Sequence, residues 1–474
     1  MLFSTPVFFV FFAIYFVLHF FTPARFRIYL IIAGSTFFYG WWKLEYIWLP
    51  YALTGMVMLG ASWTVAKDSR ESRDIRMIVA VTILFLPLVI YKYTDFIYRD
   101  IIGSIFGFSG NLLDIPLPLG ISFVTFTLTA YLVDITRGKF PLVRSIPMML
   151  AYVLFFPHLI AGPILRPVEL IPQLEHPRPA SFRRLIVPVA IFTSGLLKKL
   201  VIADQVAEVV NAIYAQPGVP DAPHAILAVV AFAVQIYCDF SGYTDMAIGL
   251  ALMLGIRLPN NFARPYAATS ISDLWRRWHI TLTRFLMDFV YTPLSLRLTR
   301  FAAMRRYRKW GSFALAVAIP VNVTFLVSGI WHGAGWNFVL FGVITGIAMS
   351  INFAWRLAKM PVLPPTLAWL LTMLAFLLSL AVFRARSLSG ALDMAMAPWV
   401  GSWQGTLPLI EGNLLPILLI AVFAVTHRFD DHRRIKAIVR KVRPELVWTG
   451  IAFCWILAIT MSQGSSAQFV YFDF

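Results

Sequence analysis

Gly311-Ser-Phe-Ala-Leu-Ala-Val-Ala-Ile-Pro320-Val-Asn-Val-Thr-Phe-Leu-Val-Ser-Gly-Ile330-Trp-His-Gly-Ala-Gly-Trp336 is an apolar run that ends on an ionisable imidazole set among glycines. A membrane-spanning helix needs roughly 20 mostly apolar residues, and the stretch from Gly311 supplies them without a formal charge before His332. The histidine therefore lies at or near membrane depth. An ionisable side chain there is expensive and reads as functional before it reads as packing. The glycines around it allow another backbone or a ligand to come close.

The rest of the 474-residue chain repeats the theme, with 59% hydrophobic and only 13% charged residues and a mean hydropathy of +0.76. Apolar stretches alternate with short clusters of Arg, Lys, Asp and Pro. This pattern predicts an all-α, polytopic transmembrane bundle of about eleven to thirteen helices, some of them short, re-entrant or interfacial. Residues 1–474 read as one membrane-embedded domain, with no soluble second domain and no internal repeat. The first run, Phe3 to Phe21, has no basic segment before it and no small-residue cleavage site after it, so it is expected to stay as a helix rather than be removed as a signal peptide.

The net charge of +17 would raise nucleic-acid binding in a soluble chain, but here the basic residues cluster in short loops and at helix ends. There they set orientation and meet anionic lipid. The loops Arg25 to Arg27, Lys67 to Arg76, Arg137 to Arg144, Arg178 to Arg184, Arg297 to Lys309 and His427 to Arg443 are accordingly expected on the cytoplasmic side. One apolar span, about Leu446 to Met461, follows the last of them, which puts the C-terminus outside. Cys238 and Cys454 lie within apolar runs and form no Cys-x-x-Cys motif, so neither a disulfide framework nor a thiolate metal site is indicated.

The segment Trp275 to Lys309 is apolar enough to touch lipid yet carries Arg276, Arg277, Arg284, Asp288, Arg297, Arg300, Arg305 and Arg306. It cannot simply span, and an interfacial or re-entrant course lining a funnel open to the cytosol is expected. Within it, Trp275-Arg276-Arg277-Trp278-His279 places two cations before a second histidine. Arg276 and Arg277, with Arg284 and Trp275 beside them, are candidates for meeting the phosphates of a donor; anchoring at the headgroup level is the competing role. No His-Glu-x-x-His or comparable ligand set joins His279 to His332, so metal binding is not expected.

Between two further apolar runs, Asp239-Phe-Ser241-Gly-Tyr243-Thr-Asp245 places two carboxylates, a serine and a tyrosine at membrane depth. Unpaired they would be costly. They either form a polar network that braces the histidine or line a substrate path.

Taken together and in order, Phe37-Phe-Tyr-Gly-Trp-Trp42, Leu117-Pro-Leu-Gly-Ile-Ser-Phe123, Phe156-Pro-His-Leu-Ile-Ala-Gly-Pro-Ile-Leu-Arg166, Asp239 to Leu250, Asn261-Phe-Ala-Arg-Pro-Tyr266, Trp275-Arg-Arg-Trp-His-Ile-Thr-Leu282, Ile330-Trp-His-Gly333 and Phe383-Arg-Ala385 resemble the membrane-bound O-acyltransferase family in its alginate O-acetyltransferase branch. The resemblance covers nearly the whole chain. It implies a bundle with a central tunnel in a bacterial inner membrane, His332 as catalytic histidine and His279 as the second functional one. It also implies an acetyl-type transfer from acetyl-coenzyme A, a substrate rather than a resident cofactor, to an extracytoplasmic polysaccharide. Partners implied are membrane lipids and a periplasmic protein resembling SGNH or GDSL hydrolases, with no nucleic acid. After His279 the sequence departs from the family, because Tyr291-Thr-Pro-Leu-Ser-Leu-Arg297 stands where tyrosine-isoleucine-proline-leucine-glycine-glycine is usual. Peptidoglycan, a lipid or a protein therefore stay open as acceptors.

The chemistry of the residues points the same way: histidine can act as general base near neutral pH, and no Gly-x-Ser-x-Gly nucleophile elbow is present. The donor must then arrive activated, as a thioester is. A multi-span transporter is the non-enzyme alternative. The terminal pattern Phe469-Val-Tyr471-Phe-Asp-Phe474 resembles a family motif in which tyrosine carries the acyl group. A phenol, with a pKa of about 10, is a better leaving group than an alkanol, which suits Tyr471 to a relay; an aromatic interfacial anchor is the plainer role.

Overall fold

The computed structural model describes residues 1–67, 69–177, 185–216, 218–462 and 469–470. Among these the regular structure is helical throughout. Among the described residues seven helices are long and apolar enough to cross a membrane: Arg70–Phe106, Ile186–Tyr214, Ala222–Met253, Lys309–His332, Trp336–Leu357, Pro365–Arg384 and Pro444–Ser462. A bent pair, Thr406–Gly412 with Leu414–Phe429, makes an eighth if it is one broken span. Two shorter apolar helices, Pro6–Phe21 and Ile121–Thr136, and a set of short helical pieces complete an all-α, polytopic bundle. The basic loop at 178–184 lies outside the described residues.

Helix burial separates the bundle's axis from its rim. Ala222–Met253 is the central helix: every residue from Ala231 to Ala251 is buried. Pro444–Ser462 turns most of its surface outward, as a lipid-facing helix does where lipid is as apolar as leucine. Association in such surroundings depends on close backbone approach and polar pairing, and both occur where Ile186–Tyr214 crosses the central helix. A Cβ on Gly195 would lie 2.4 Å from the Gly242 carbonyl oxygen, and one on Gly242 would lie 2.7 Å from that of Gly195. The two backbones touch.

That contact brings opposite charges together. Lys198–Ala203 forms a π-helical turn, a widening often found at functional positions, and both of its leading lysines reach acids of the central helix. Lys198 pairs with Asp245 at 2.6 Å and with Asp430 at 3.1 Å; Lys199 pairs with Asp239 at 2.9 Å and with Asp204 at 2.8 Å. Asp245 also bonds His432 Nε2 at 2.8 Å, which fastens the basic helix His432–Lys441 to the core.

The segment after Tyr266 does not span. It runs as Ile271–Arg277, Ile280–Leu286, a π-helical turn Met287–Tyr291 and Thr292–Met304, the broken course expected of so many arginines beside apolar residues. Its first two pieces are largely buried, so the chain re-enters the bundle there instead of lying wholly on its surface.

Candidate active site

His332 is the last residue of its helix. The chain leaves the helix at Gly333 in an extended conformation and turns into Trp336–Leu357. This hairpin is closed by glycine: a Cβ on Gly329 would sit 2.2 Å from the Phe338 carbonyl oxygen, and one on Gly333 would sit 2.0 Å from the Phe338 ring. The imidazole is thereby delivered into the interior, where it is buried among Trp331, Phe383 and Phe341 at ring separations of 4.9, 5.2 and 5.9 Å. Phe383 is held in turn by Asn337, whose Nδ2 donates to the carbonyls of Phe383 and Ala385.

His279 stands between Ile271–Arg277 and Ile280–Leu286 with φ 41° and ψ 55°. Left-handed backbone is unfavourable for a residue with a Cβ, and a polar anchor holds it. Asn261 Oδ1 accepts from the Thr281 amide at 3.1 Å and the Thr281 hydroxyl at 3.0 Å, and lies 3.2 Å from His279 Nδ1. An oxygen that accepts a main-chain N–H is assigned as oxygen by that bond, so Nδ1 carries the proton. Nε2 is then the lone-pair nitrogen, with no hydrogen-bond partner among the described residues. Burial holds the His279 pKa down at about 3, so the ring is neutral at physiological pH. The indole of Trp331 stands between the two histidines, 6.0 Å from His279 and 4.9 Å from His332.

Two cavities meet at His332. One, of about 340 Å3, holds both histidines and reaches back along the Lys309–His332 helix through Ser328 and Phe325 to Val321. At 1.5 Å per residue that is about 16 Å. Trp275, Arg276 and Arg356 line it as well. The other, of about 320 Å3, lies beyond the far end of that helix, between Pro116–Phe123, Trp42, Lys43 and Lys92. His332 and Trp331 are its wall on the helix side.

Of the basic residues singled out in the sequence, Trp275 and Arg276 line the first cavity, and Arg276 extends a largely exposed side chain tied to Asp273 at 2.9 Å. Arg277 shares Asp273 and is absent from the cavity wall. Arg284 is committed to Glu169 by two bonds of 2.6 and 2.9 Å. Arg356, which hydrogen-bonds Ser272 at 2.8 Å, is a cation of this cavity that the sequence did not mark. Its only signal is its place at the end of a span.

Asp239, Ser241, Tyr243 and Asp245 line neither cavity. The two aspartates are the acids paired with Lys199 and Lys198, and Tyr243 stacks on Phe3 at 4.6 Å. Asp239 has a second bond: its Oδ2 accepts from the Val470 amide at 2.7 Å. Phe469 packs on Tyr243 and Phe240 at 5.0 and 5.8 Å, and Phe240 in turn meets His279 at 4.7 Å. Phe469 and Val470 are therefore fixed at the middle of the central helix. Tyr471 lies outside the described residues.

His332 lies where two cavities meet and His279 lines one of them, inside an all-helical bundle, and comparison with known proteins names the class. Residues 27–380 match the MBOAT, membrane-bound O-acyltransferase, family. The chain is 34% identical over 439 residues to the probable alginate O-acetylase AlgI of Azotobacter vinelandii, covering 90% of this chain and 85% of that one. It is 33% identical over 435 residues to the peptidoglycan O-acetyltransferase of Helicobacter pylori, covering 83% and 79%. A more distant likeness, 25% over 240 residues and 49% of this chain, is to the teichoic acid D-alanyltransferase of Bacillus subtilis. The chain belongs to the membrane-bound O-acyltransferase family, in its alginate O-acetylase-like branch. It is a multi-pass membrane O-acetyltransferase, which removes the transporter alternative.

Proposed function

We propose that the protein takes an acetyl group from acetyl-coenzyme A on the cytosolic side and passes it through the bundle for O-acetylation of an extracytoplasmic polysaccharide. The observation that carries this reading is the convergence of two cavities on His332. The cavity bounded by Arg276 and Arg356 is the donor side, since the basic loops favour the cytosol and guanidinium groups suit phosphates. The cavity bounded by Lys43, Lys92 and Pro116 is the acceptor side.

In this scheme His332 removes the proton from the Tyr471 phenol, and the phenolate oxygen adds to the thioester carbonyl carbon. The tetrahedral oxyanion collapses, the C–S bond breaks, and the departing thiolate takes the proton back from the imidazolium. Coenzyme A stays inside while the acetyl group leaves as an aryl ester, activated for the serine of a periplasmic SGNH-like partner. His279, neutral and fixed by Asn261, presents Nε2 as an acceptor that orients the donor or the attacking hydroxyl. The seat of Phe469 and Val470 against Asp239, Tyr243 and Phe240 supports the relay, because it anchors Val470, the residue before Tyr471, on Asp239 and leaves Phe469 one ring away from His279. Alginate-like polymer and peptidoglycan are both acceptors named for relatives.

The test is to incubate the purified protein with acetyl-coenzyme A and examine the C-terminal peptide by mass spectrometry, with Tyr471→Phe as control. An acetyl adduct on Tyr471 is expected. An unmodified peptide, together with full polymer acetylation by the Phe variant, returns the tail to an anchoring role.

A further inference from the structure

Lys92 enters the acceptor-side cavity from the Arg70–Phe106 helix, 239 positions away in sequence from the tryptophan whose carbonyl it meets. Its Nζ donates to the main-chain oxygens of Trp331 at 2.7 Å and His332 at 2.9 Å. These are among the last carbonyls of the helix, which find no partner within it, and a cation is favoured at that negative end of the helix dipole. Capping explains two of the three N–H donors that an ammonium carries. The third remains for whatever occupies the cavity.

The charge balance is as informative as the bond count. Lys43, in the same cavity wall, pairs with Glu45 at 3.4 Å, and Lys198 and Lys199 each have two acids. Lys92 has no ion-pair partner among the described residues; the Trp331 ring, 6.0 Å from Nζ, is its other neighbour. An ammonium without a counter-charge inside a membrane protein is costly. A site that keeps one beside a candidate base is built for a negative charge that comes and goes.

Resting on the acyl-transfer reading above, we propose that Lys92 is a catalytic residue whose ammonium stabilises the oxyanion formed on the acyl carbonyl as the acceptor oxygen adds. As that oxygen bonds to the carbonyl carbon, the C=O π pair moves onto the carbonyl oxygen and meets the third N–H of Lys92. The pair returns as the C–S bond breaks, and Lys92 keeps its proton throughout. A cation already placed where charge develops needs no reorganisation during the step, which is what makes such groups effective.

The experiment compares Lys92→Gln, Lys92→Arg and wild type for acetyl-coenzyme A turnover, with rates referred to protein that elutes as a single folded species in detergent. Gln keeps donors for the two carbonyls and loses the charge; Arg keeps both. The expectation is a fall in kcat of about 10²–10³-fold for Gln, at an unchanged donor KM, with Arg at a tenth of wild type or better. Wild-type kcat in Lys92→Gln reduces Lys92 to a helix cap and overturns the proposal. A change confined to KM makes it a donor-binding group, and an Arg variant as slow as Gln shows that charge is not what matters; either also overturns it. Turnover by wild type that does not depend on His332 instead sinks the acyl-transfer reading, so the two failures are separable.

Discussion

Asn261→Ala probes the anchor of His279 without touching either histidine. The Asn261 oxygen is fully buried and serves three groups: the Thr281 amide, the Thr281 hydroxyl and His279 Nδ1. The hydroxyl can turn to other acceptors, and it also accepts from the Ile164 amide at 3.0 Å. The amide and the imidazole N–H cannot, and each buried donor left unpaired costs about 1–3 kcal/mol. The variant should therefore lose roughly 2–6 kcal/mol of stability, read as a lower midpoint of thermal unfolding in detergent by tryptophan fluorescence. Activity should fall further than stability explains, because nothing then selects the tautomer with its lone pair on Nε2 or holds the ring in its left-handed setting. Asn261→Asp keeps an acceptor and should recover the fold while changing the pH dependence of turnover. An Asn261→Ala protein with wild-type midpoint and wild-type turnover would refute the assignment of Asn261 as the group that orients His279.

Further outcomes follow from the same geometry. Burial lowers the His279 pKa from 6.5 to about 3, so between those values the unfolded chain binds a proton that the folded one refuses. Stability should fall as pH drops below 6.5, and less so in His279→Gln; equal acid sensitivity contradicts the neutral ring. His432 acts in the opposite sense: burial alone would lower its pKa, but Asp245 raises it overall, so its contribution is present in acid and lost as pH climbs through the raised value. Arg276→Ala with Arg356→Ala should raise the donor KM about tenfold, or 1.4 kcal/mol, at little cost in kcat, whereas Arg284→Ala should destabilise by releasing Glu169; an unchanged KM in the double variant places the donor elsewhere. Asp239→Ala should speed hydrogen exchange at the Val470 amide by at least about tenfold, since it removes that amide's acceptor, and persistent protection would mean that packing of Phe469 alone holds the tail.

What the sequence discloses and what it hides divide along a physical line. Spans are local facts of composition, so Lys309–His332 and its glycine-rich exit are readable directly, as is the interfacial or re-entrant course of residues 275–309, where arginines stand among apolar neighbours. A histidine at the end of an apolar span, as His332 is, is equally visible, because its cost is set by depth and not by partner. Partners are tertiary facts. Asp239 and Asp245 read as acids in need of cations, but nothing local says that a π-helical turn aims the consecutive Lys198 and Lys199 at them. Arg284 looks like a phosphate ligand until the fold brings Glu169 to it, while Arg356 and Lys92 look like ordinary helix charges until the fold places them in cavities that end at His332. The tail is the sharpest case: its aromatic pattern is legible, yet the bond from Val470 to the middle of the central helix is not.

The account rests on acyl transfer through His332, and the most direct measurement is the rate of acetyl-coenzyme A consumption by purified wild type and His332→Ala, alongside their unfolding midpoints. Loss of a general base costs about 10²–10⁴ in rate, and the imidazole packs among the rings of Trp331, Phe383 and Phe341. The account predicts a variant that inserts and folds near normally but turns over at less than a hundredth of the wild-type rate. A folded His332→Ala protein that keeps more than about a tenth of wild-type turnover, well above that range, would contradict it.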